Sequence, residues 1–368
     1  LNDINAQYNL GIIYLDGQYI ARDISRSIHY FSLAAKQNDT RAQLYLALIY
    51  ITGEYVRVDV DKAINYLKLA ADLNCSKANF ILGLLYYKGN DIIKRDTAKA
   101  FHYLSIAANQ NHSYAEFLIG TMYLFGEHVE SDISKFIYYC TSAANKNESN
   151  SQYLLGIFYM KGEIVQKNVK KGLYYLTKSS ENRNIRSHFA LGYLYHEGKN
   201  VERNIDMSIN FYKEASSFND QFAKNNLGII YKNGFDEERP KRIGNAIEYF
   251  NEAIRQKNDA LSVYNLAHIY LYDESIENGL NKSIELLLST WKYSFIYSRT
   301  LLCLALLKKH GNNLTNIKNE FSNYPEISDA FESSILEAIK YYQLNTESIF
   351  LAKFEYFRNI NFLYNIYC

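Results

Sequence analysis

Proline and cysteine are scarce in this 368-residue chain, and neither sign of charge prevails. Two prolines and no Ser/Gly-rich tract leave no evident linker, so order is expected nearly throughout. The four cysteines, Cys75, Cys140, Cys303 and Cys368, form no CxxC or Cys/His cluster, and neither a disulfide framework nor a zinc site is indicated. Lys and Arg number 40 against 39 Asp and Glu, a net charge of +1, which disfavours a nucleic-acid partner. No run approaches the roughly 18 apolar residues of a membrane span. The longest candidate, Leu301 to Leu307, ends in Lys308-Lys309 and reads as a core helix. The motifs HExxH, GxSxG, GxxxxGK[ST] and a strand-to-helix GxGxxG are all missing, so no catalytic, cofactor-binding or metal-binding residue is assigned and no enzyme is expected. Leu1 in place of Met reads as an excised segment or mature form, so the lack of a signal peptide carries no information.

What the chain has is a period of about 36 residues. Leu10-Gly11-x-x-Tyr14-x-x-Gly17 returns from Leu82 to Gly89, Leu155 to Gly162, Leu191 to Gly198 and Leu227 to Gly234. Leu46-Ala47-x-x-Tyr50 and Ile119-Gly120-x-x-Tyr123 are imperfect copies, and Leu266-Ala267-x-x-Tyr270 lacks the closing Gly. The charged insert Asp236 to Lys241 stretches the last spacing, as insertions into loops do. A unit this short cannot bury its own apolar face and must stack on its neighbours, which makes a solenoid.

Each unit reads as two helices. Ala6, Leu10, Ile13 and Tyr14 share one helical face, and Gly17 stands where a left-handed residue would end the helix. Gly11 costs about 1 kcal/mol relative to Ala in a helix interior, so its recurrence calls for close helix approach. The second helix repeats Ile28, Tyr30-Phe31 and Ala34-Ala35 as Ile64, Tyr66-Leu67 and Ala70-Ala71, then again from Phe101 and Ile137. Asp23, Asp59, Asp96, Asp132, Asn168 and Asn204 precede it and suit an N-cap role.

The pattern Ala-x-x-x-Leu-Gly-x-x-Tyr-x-x-Gly followed by an Ala-rich helix resembles the Sel-one-like repeats, relatives of the tetratricopeptide repeats, over residues 4 to about 290. The resemblance implies an all-α fold, a right-handed α/α superhelix of about seven to eight two-helix repeats plus C-terminal helices. It divides the chain into a repeat solenoid, 1–290, and a degenerate repeat with capping helices, 291–368. It also implies a protein-interaction adaptor. The paired cysteines of some bacterial members are missing here, so their disulfides do not carry over.

On the tetratricopeptide alignment, a second stripe of the first helix lines the inner wall. It runs Tyr8, Ile12, Leu15; Leu44, Leu48, Ile51; Phe80, Leu84, Tyr87; Phe117, Thr121, Leu124; Tyr153, Ile157, Met160; Phe189, Tyr193, His196, and turns polar at Asn225, Lys232 and His268. One reading packs these residues between adjacent first helices. The other makes them a groove for an amphipathic helix or extended peptide, with Phe80, Leu84, Tyr87, Phe117, Tyr153, Met160, Phe189, Tyr193 and His196 as partner-binding residues. The expected partner is a protein or peptide, with no nucleic acid, no membrane insertion and no cofactor. A regulatory region of a larger enzyme such as a kinase is the alternative.

Four triplets, Asn38-Asp39-Thr40, Asn74-Cys75-Ser76, Asn111-His112-Ser113 and Asn147-Glu148-Ser149, recur at the turn between units. As backbone chemistry, the Asn is a left-handed cap and Ser or Thr caps the next helix, which suits a cytoplasmic chain. As glycosylation acceptors they would place the chain in the endoplasmic reticulum lumen, as in adaptors of protein quality control. His29 and His102 occupy equivalent structural positions, and His188 and His196 lack metal-pair spacing. Tyr297 to Lys309, Pro325 to Tyr342 and Glu347 to Phe362 read as helices that cap the stack, or as an aromatic tail folded into the groove.

Overall fold

In a computed structural model of the protein, the described residues are 2–234, 240–257, 259–290, 296–311 and 313–320. Helices account for their regular structure, with no strand among them. In chain order they are α1 (Ile4–Asp16), α2 (Ile24–Lys36), α3 (Thr40–Thr52), α4 (Val60–Asp72), α5 (Ser76–Lys88), α6 (Thr97–Asn109), α7 (Ser113–Phe125), α8 (Ile133–Asn145), α9 (Ser149–Lys161) and α10 (Val169–Glu181). There follow α11 (Ile185–Glu197), α12 (Ile205–Ser217), α13 (Gln221–Asn233), α14 (Ile243–Lys257), α15 (Ala260–Tyr272), α16 (Gly279–Ser289), α17 (Ile296–His310) and α18 (Leu314–Glu320). Odd and even helices up to α16 are the first and second helices of eight repeats, an all-α solenoid as the period requires. Backbone packing separates Leu1–Leu191 from Gly192–Cys368, a division inside α11. The insert residues Asp236 to Arg239, the expected helices at 325–342 and 347–362, and Cys368 lie outside the described residues; the Tyr297 to Lys309 helix is α17.

The ends of the helices follow from local chemistry. Gly17 adopts φ 74° and returns its N–H to the Ile13 carbonyl, closing α1. Asp273 replaces glycine after α15 and remains extended, at φ −90° and ψ 107°, which explains why the eighth repeat dispenses with the motif's last residue. All six expected N-caps are in place: Asp23, Asp59, Asp96, Asp132, Asn168 and Asn204 each accept the backbone N–H three residues ahead.

The inter-repeat turn corrects one expectation. Asn38, Asn74, Asn111 and Asn147 are left-handed, at φ 68°, 60°, 65° and 62°, but Ser or Thr does not cap the helix that follows. The middle residue of the triplet holds the extended cap geometry instead, and Thr40, Ser76, Ser113 and Ser149 are already helical. Asp39 accepts from the Arg41 and Ala42 amides, Glu148 from Asn150 and Ser151, and His112 Nδ1 from Ala115; Cys75 makes no such bond.

Gly11 recurs because the second helix presses a large side chain onto it. A Cβ there would stand 2.5 Å from Phe31 Cδ1, and one on Gly192 would stand 2.7 Å from Tyr212 Cδ1. Ala47 carries its Cβ in one cluster with Leu67, but a leucine opposite does not by itself make room, since a Cβ on Gly83 or Gly156 would stand 2.6 or 2.7 Å from Cγ of Leu104 or Leu176. Close approach is also held by hydroxyls: Ser27 Oγ donates to the Gly11 carbonyl and Ser208 Oγ to that of Gly192, each over 2.8 Å. In the first unit the alanine pair of α2 is buried with Ala42 and Leu46 of α3, so it seals one repeat against the next.

Candidate functional site

The second stripe is neither uniformly core nor uniformly open. In the first unit, Tyr8, Ile12, Leu15, Leu44, Ile51, Phe80, Leu84, Tyr87, Phe117 and Leu124 are half-buried, and Leu48 is 44% exposed. Neighbours cover one side of them: Tyr8 meets Phe31 and Tyr45, while Phe80 stacks on His112 with centroids 4.2 Å apart. Along α9 the stripe closes, with Tyr153 4% and Met160 5% exposed and Ile157 buried beside them. Burial raises the Tyr153 hydroxyl above the ordinary tyrosine range. Phe189 is half-buried in the first unit; Tyr193 and His196 are half-buried in the second, where His196 meets the Tyr212 ring edge-on.

Two recurring sets of residues are not apparent from the apolar pattern. A polar side chain follows the small first-helix residue, Ala or Ser, at Gln7, Gln43, Asn79, Glu116, Gln152, His188 and Lys224, all buried. Gln43 donates to the Ala35 carbonyl and Gln152 to that of Ala144, satisfying carbonyls at the end of the preceding second helix. The end of the repeat's own second helix answers from the other side: Gln37 donates to Gln7, Asn182 to Gln152, and Lys146 pairs with Glu116. Recurrence of a polar residue beside an invariant small one was the available signal.

The second set explains the motif tyrosine. Tyr14 lies parallel to Tyr30, 5.7 Å between centroids and 2° between planes, and the arrangement returns at Tyr50–Tyr66, Tyr86–Tyr103, Tyr123–Tyr139 and Tyr159–Tyr175. Arg26, Lys62, Lys99, Lys135 and Lys171 sit over the first ring of each pair. The first four also pair with the N-cap carboxylate three residues earlier, so an Asp-x-x-Lys/Arg spacing marks them in the sequence.

In the second unit the polar end of the stripe comes together. Asn225 accepts from Ser262 and Asn265, and Lys232 Nζ lies 3.3 Å from His268 Nδ1. Burial, then the neighbouring Lys241, holds the Lys232 amine down to about 8; burial, then Lys232, holds His268 at about 4. Three further histidines are structural in setting: His29 and His102 are exposed and edge-on to Tyr30 and Tyr103, and His188 Nδ1 meets the Asn184 carbonyl. Cys75, Cys140 and Cys303 are free thiols, with burial pushing Cys140 far up and Cys303 up to about 12, so neither of these two is activated. Among the described residues no three His, Cys, Asp or Glu side chains converge as metal ligands, and no helix is long and apolar enough to cross a membrane.

No protein of curated function matches the sequence. Among solved structures, c5321, a protective antigen of uropathogenic Escherichia coli with an SLR fold, superposes with a TM-score of 0.69 at 24% identity, over 84% of this chain and 65% of that one. The match therefore spans less than two thirds of that relative. A Sel1 repeat protein from Oxalobacter formigenes superposes with a TM-score of 0.54 at 27% identity, over 59% of this chain and 89% of its own. The Sel1 repeat model matches residues 4–39, 40–75, 76–112, 113–148, 149–184, 185–217, 221–258 and 260–289, which are the eight helix pairs, and the chain belongs to the Sel1 repeat family.

Proposed function

We propose that the chain is a non-enzymatic adaptor that holds a protein partner on the first-helix stripe of its N-terminal repeats. Sel1 repeat solenoids typically serve protein–protein interaction and are typically non-catalytic. The observation that carries the reading is the half-exposed apolar row from Tyr8 to Leu124, against the sealed row at Tyr153, Ile157 and Met160. Repeats that needed the stripe for stacking alone would close it throughout, as α9 does. The working residues are then Phe80, Leu84, Tyr87 and Phe117 together with Leu48, while Tyr153 and Met160 belong to the sealed part of the row. Phe189, Tyr193 and His196 continue the same sequence stripe. The compartment in this reading is the cytoplasm, supported by the unpaired Cys75, Cys140 and Cys303 and by the backbone role of each turn asparagine.

The test is quantitative capture from a cell extract with the native chain, with Leu48→Ser, and with Leu48→Ser/Tyr87→Ser. Loss of the same captured protein by both variants, with unchanged helicity by circular dichroism, supports the reading. Equal capture by folded variants overturns it.

A further inference from the structure

Several basic side chains on or beside the helices have an anion. Lys62 pairs with Asp59, Lys99 with Asp96, Lys146 with Glu116 and Lys224 with Glu252. A cluster in the second unit differs. Lys232 on α13 points its ammonium at His268 Nδ1 on α15 over 3.3 Å, the His268 ring lies 4.7 Å from the Tyr272 ring, and Lys308 on α17 stands 5.6 Å over that same ring. Lys308 donates to the Leu271 carbonyl, and no carboxylate pairs with Lys232, His268 or Lys308 among the described residues. Lys232 and His268 thus meet, and Lys308 flanks the Tyr272 ring beside them, with no carboxylate paired to any of the three among the described residues.

We propose that Lys232, His268 and Lys308 form a recognition site for a carboxylate side chain on a peptide segment of a protein partner. The ammonium of Lys232 is already held in place by a neutral imidazole, which accepts from it. An arriving carboxylate would accept from Lys232, with Lys308 adding a second positive charge beyond the Tyr272 ring, and it would favour the protonated form of His268, turning the imidazole from acceptor to donor. The groups facing His268 are Lys232 from α13, Tyr264 and Tyr272 from its own helix, and Lys308 across the Tyr272 ring, with Lys241 acting on Lys232. All its charged members among the described residues are basic, so the site gains a counter-charge on binding. A single acidic side chain fits this arrangement better than nucleic acid does. A phosphate backbone is held by a broad run of Lys and Arg, and the net charge here is +1. The site adds a chemical class of partner to the adaptor reading, but it lies in the second unit and stands without the apolar stripe.

The experiment is fluorescence anisotropy of a labelled hexaglutamate peptide with the full chain at low ionic strength. Saturable binding is expected, weakened by salt and weakened about fivefold by Lys232→Met and by Lys308→Met, but retained in Lys232→Arg. The His268 ring resonances should titrate at higher pH with peptide than without. Binding indifferent to both Met variants, with helicity unchanged, overturns the proposal. So does binding that appears only in Asp236→Asn/Glu237→Gln/Glu238→Gln, since the chain's own acidic residues would then be the occupant. Equal binding of oligouridylate with the same lysine dependence overturns the peptide assignment. Leu48→Ser should bind hexaglutamate as the native chain does, so failure of the stripe reading and failure of this one are separable.

Discussion

Lys146 Nζ lies 2.8 Å from Glu116 Oε1, and one repeat later the same two positions hold Asn182 and Gln152, joined over 2.9 Å. An ion pair and an amide pair therefore do one job, bracing the end of a second helix against the first. Glu116 is buried, so Lys146→Met leaves its carboxylate without a counter-charge, held only by the Ser142 hydroxyl, and should cost about 2 kcal/mol in urea unfolding. Glu116→Gln/Lys146→Asn copies the neighbouring repeat and should return stability to within about 1 kcal/mol of the native chain.

Gly192 offers a packing test. Its missing Cβ admits the Tyr212 ring, so Gly192→Ala should destabilise by about 2 kcal/mol despite the better helix propensity of alanine. Gly192→Ala/Tyr212→Leu should recover little of the loss in a thermal melt, because a Cβ on Gly83 or Gly156 would already stand 2.6 or 2.7 Å from Cγ of Leu104 or Leu176.

The two ends of the stripe should respond differently to the same substitution. Tyr153→Ser removes a buried ring and should cost about 3 kcal/mol, whereas Leu48→Ser should stay within about 0.5 kcal/mol. Equal losses by chemical denaturation would show that the row is core throughout.

His112 gives the fold an acid limb. Burial lowers its imidazole below the ordinary value of 6.5, and the neutral ring accepts the Ala115 amide at the start of α7. A depressed folded-state value means the contribution is complete above the unfolded value and is lost as pH falls through the folded one. Urea midpoints should decline as pH drops below about 6.5, and His112→Asn, which keeps a capping acceptor, should flatten that decline.

The turn asparagines separate backbone chemistry from modification. Asn38→Gly should leave stability within about 1 kcal/mol, because glycine adopts φ 68° freely, and Asn38→Ala should lose about 1 kcal/mol. A chain expressed through a secretory pathway should show no mass change on deglycosylation, and a change at Asn38, Asn74, Asn111 or Asn147 would move it to the lumen.

Much of the architecture is legible in the sequence because the 36-residue period repeats small, large and capping residues at fixed places, each with a local cause. Gly11, Asp23 and Gly17 could be read without a structure. Thr40 could not: which residue of a turn triplet caps depends on where the left-handed residue ends and the helix begins, a matter of one residue. The stripe was visible as a pattern, but Leu48 and Tyr153 look alike in sequence, and their exposure depends on how far the neighbouring helices cover them. Lys232 and His268 were visible as polar interruptions; that they meet is a property of the packing between α13 and α15.

The Gly11–Phe31 fit is made inside one repeat, and the contact that Gln43 makes with its predecessor ends on a backbone carbonyl, which every residue possesses. Neither depends on the side chains of the adjoining unit. A copied or excised period would carry its own interior complementarity and would find at its new border an acceptor that is indifferent to sequence. Such a chain can lengthen or shorten by duplication and loss as long as each border keeps the small and apolar side chains that seal it, as Ala34 and Leu46 do, while the exposed faces of each copy diverge freely.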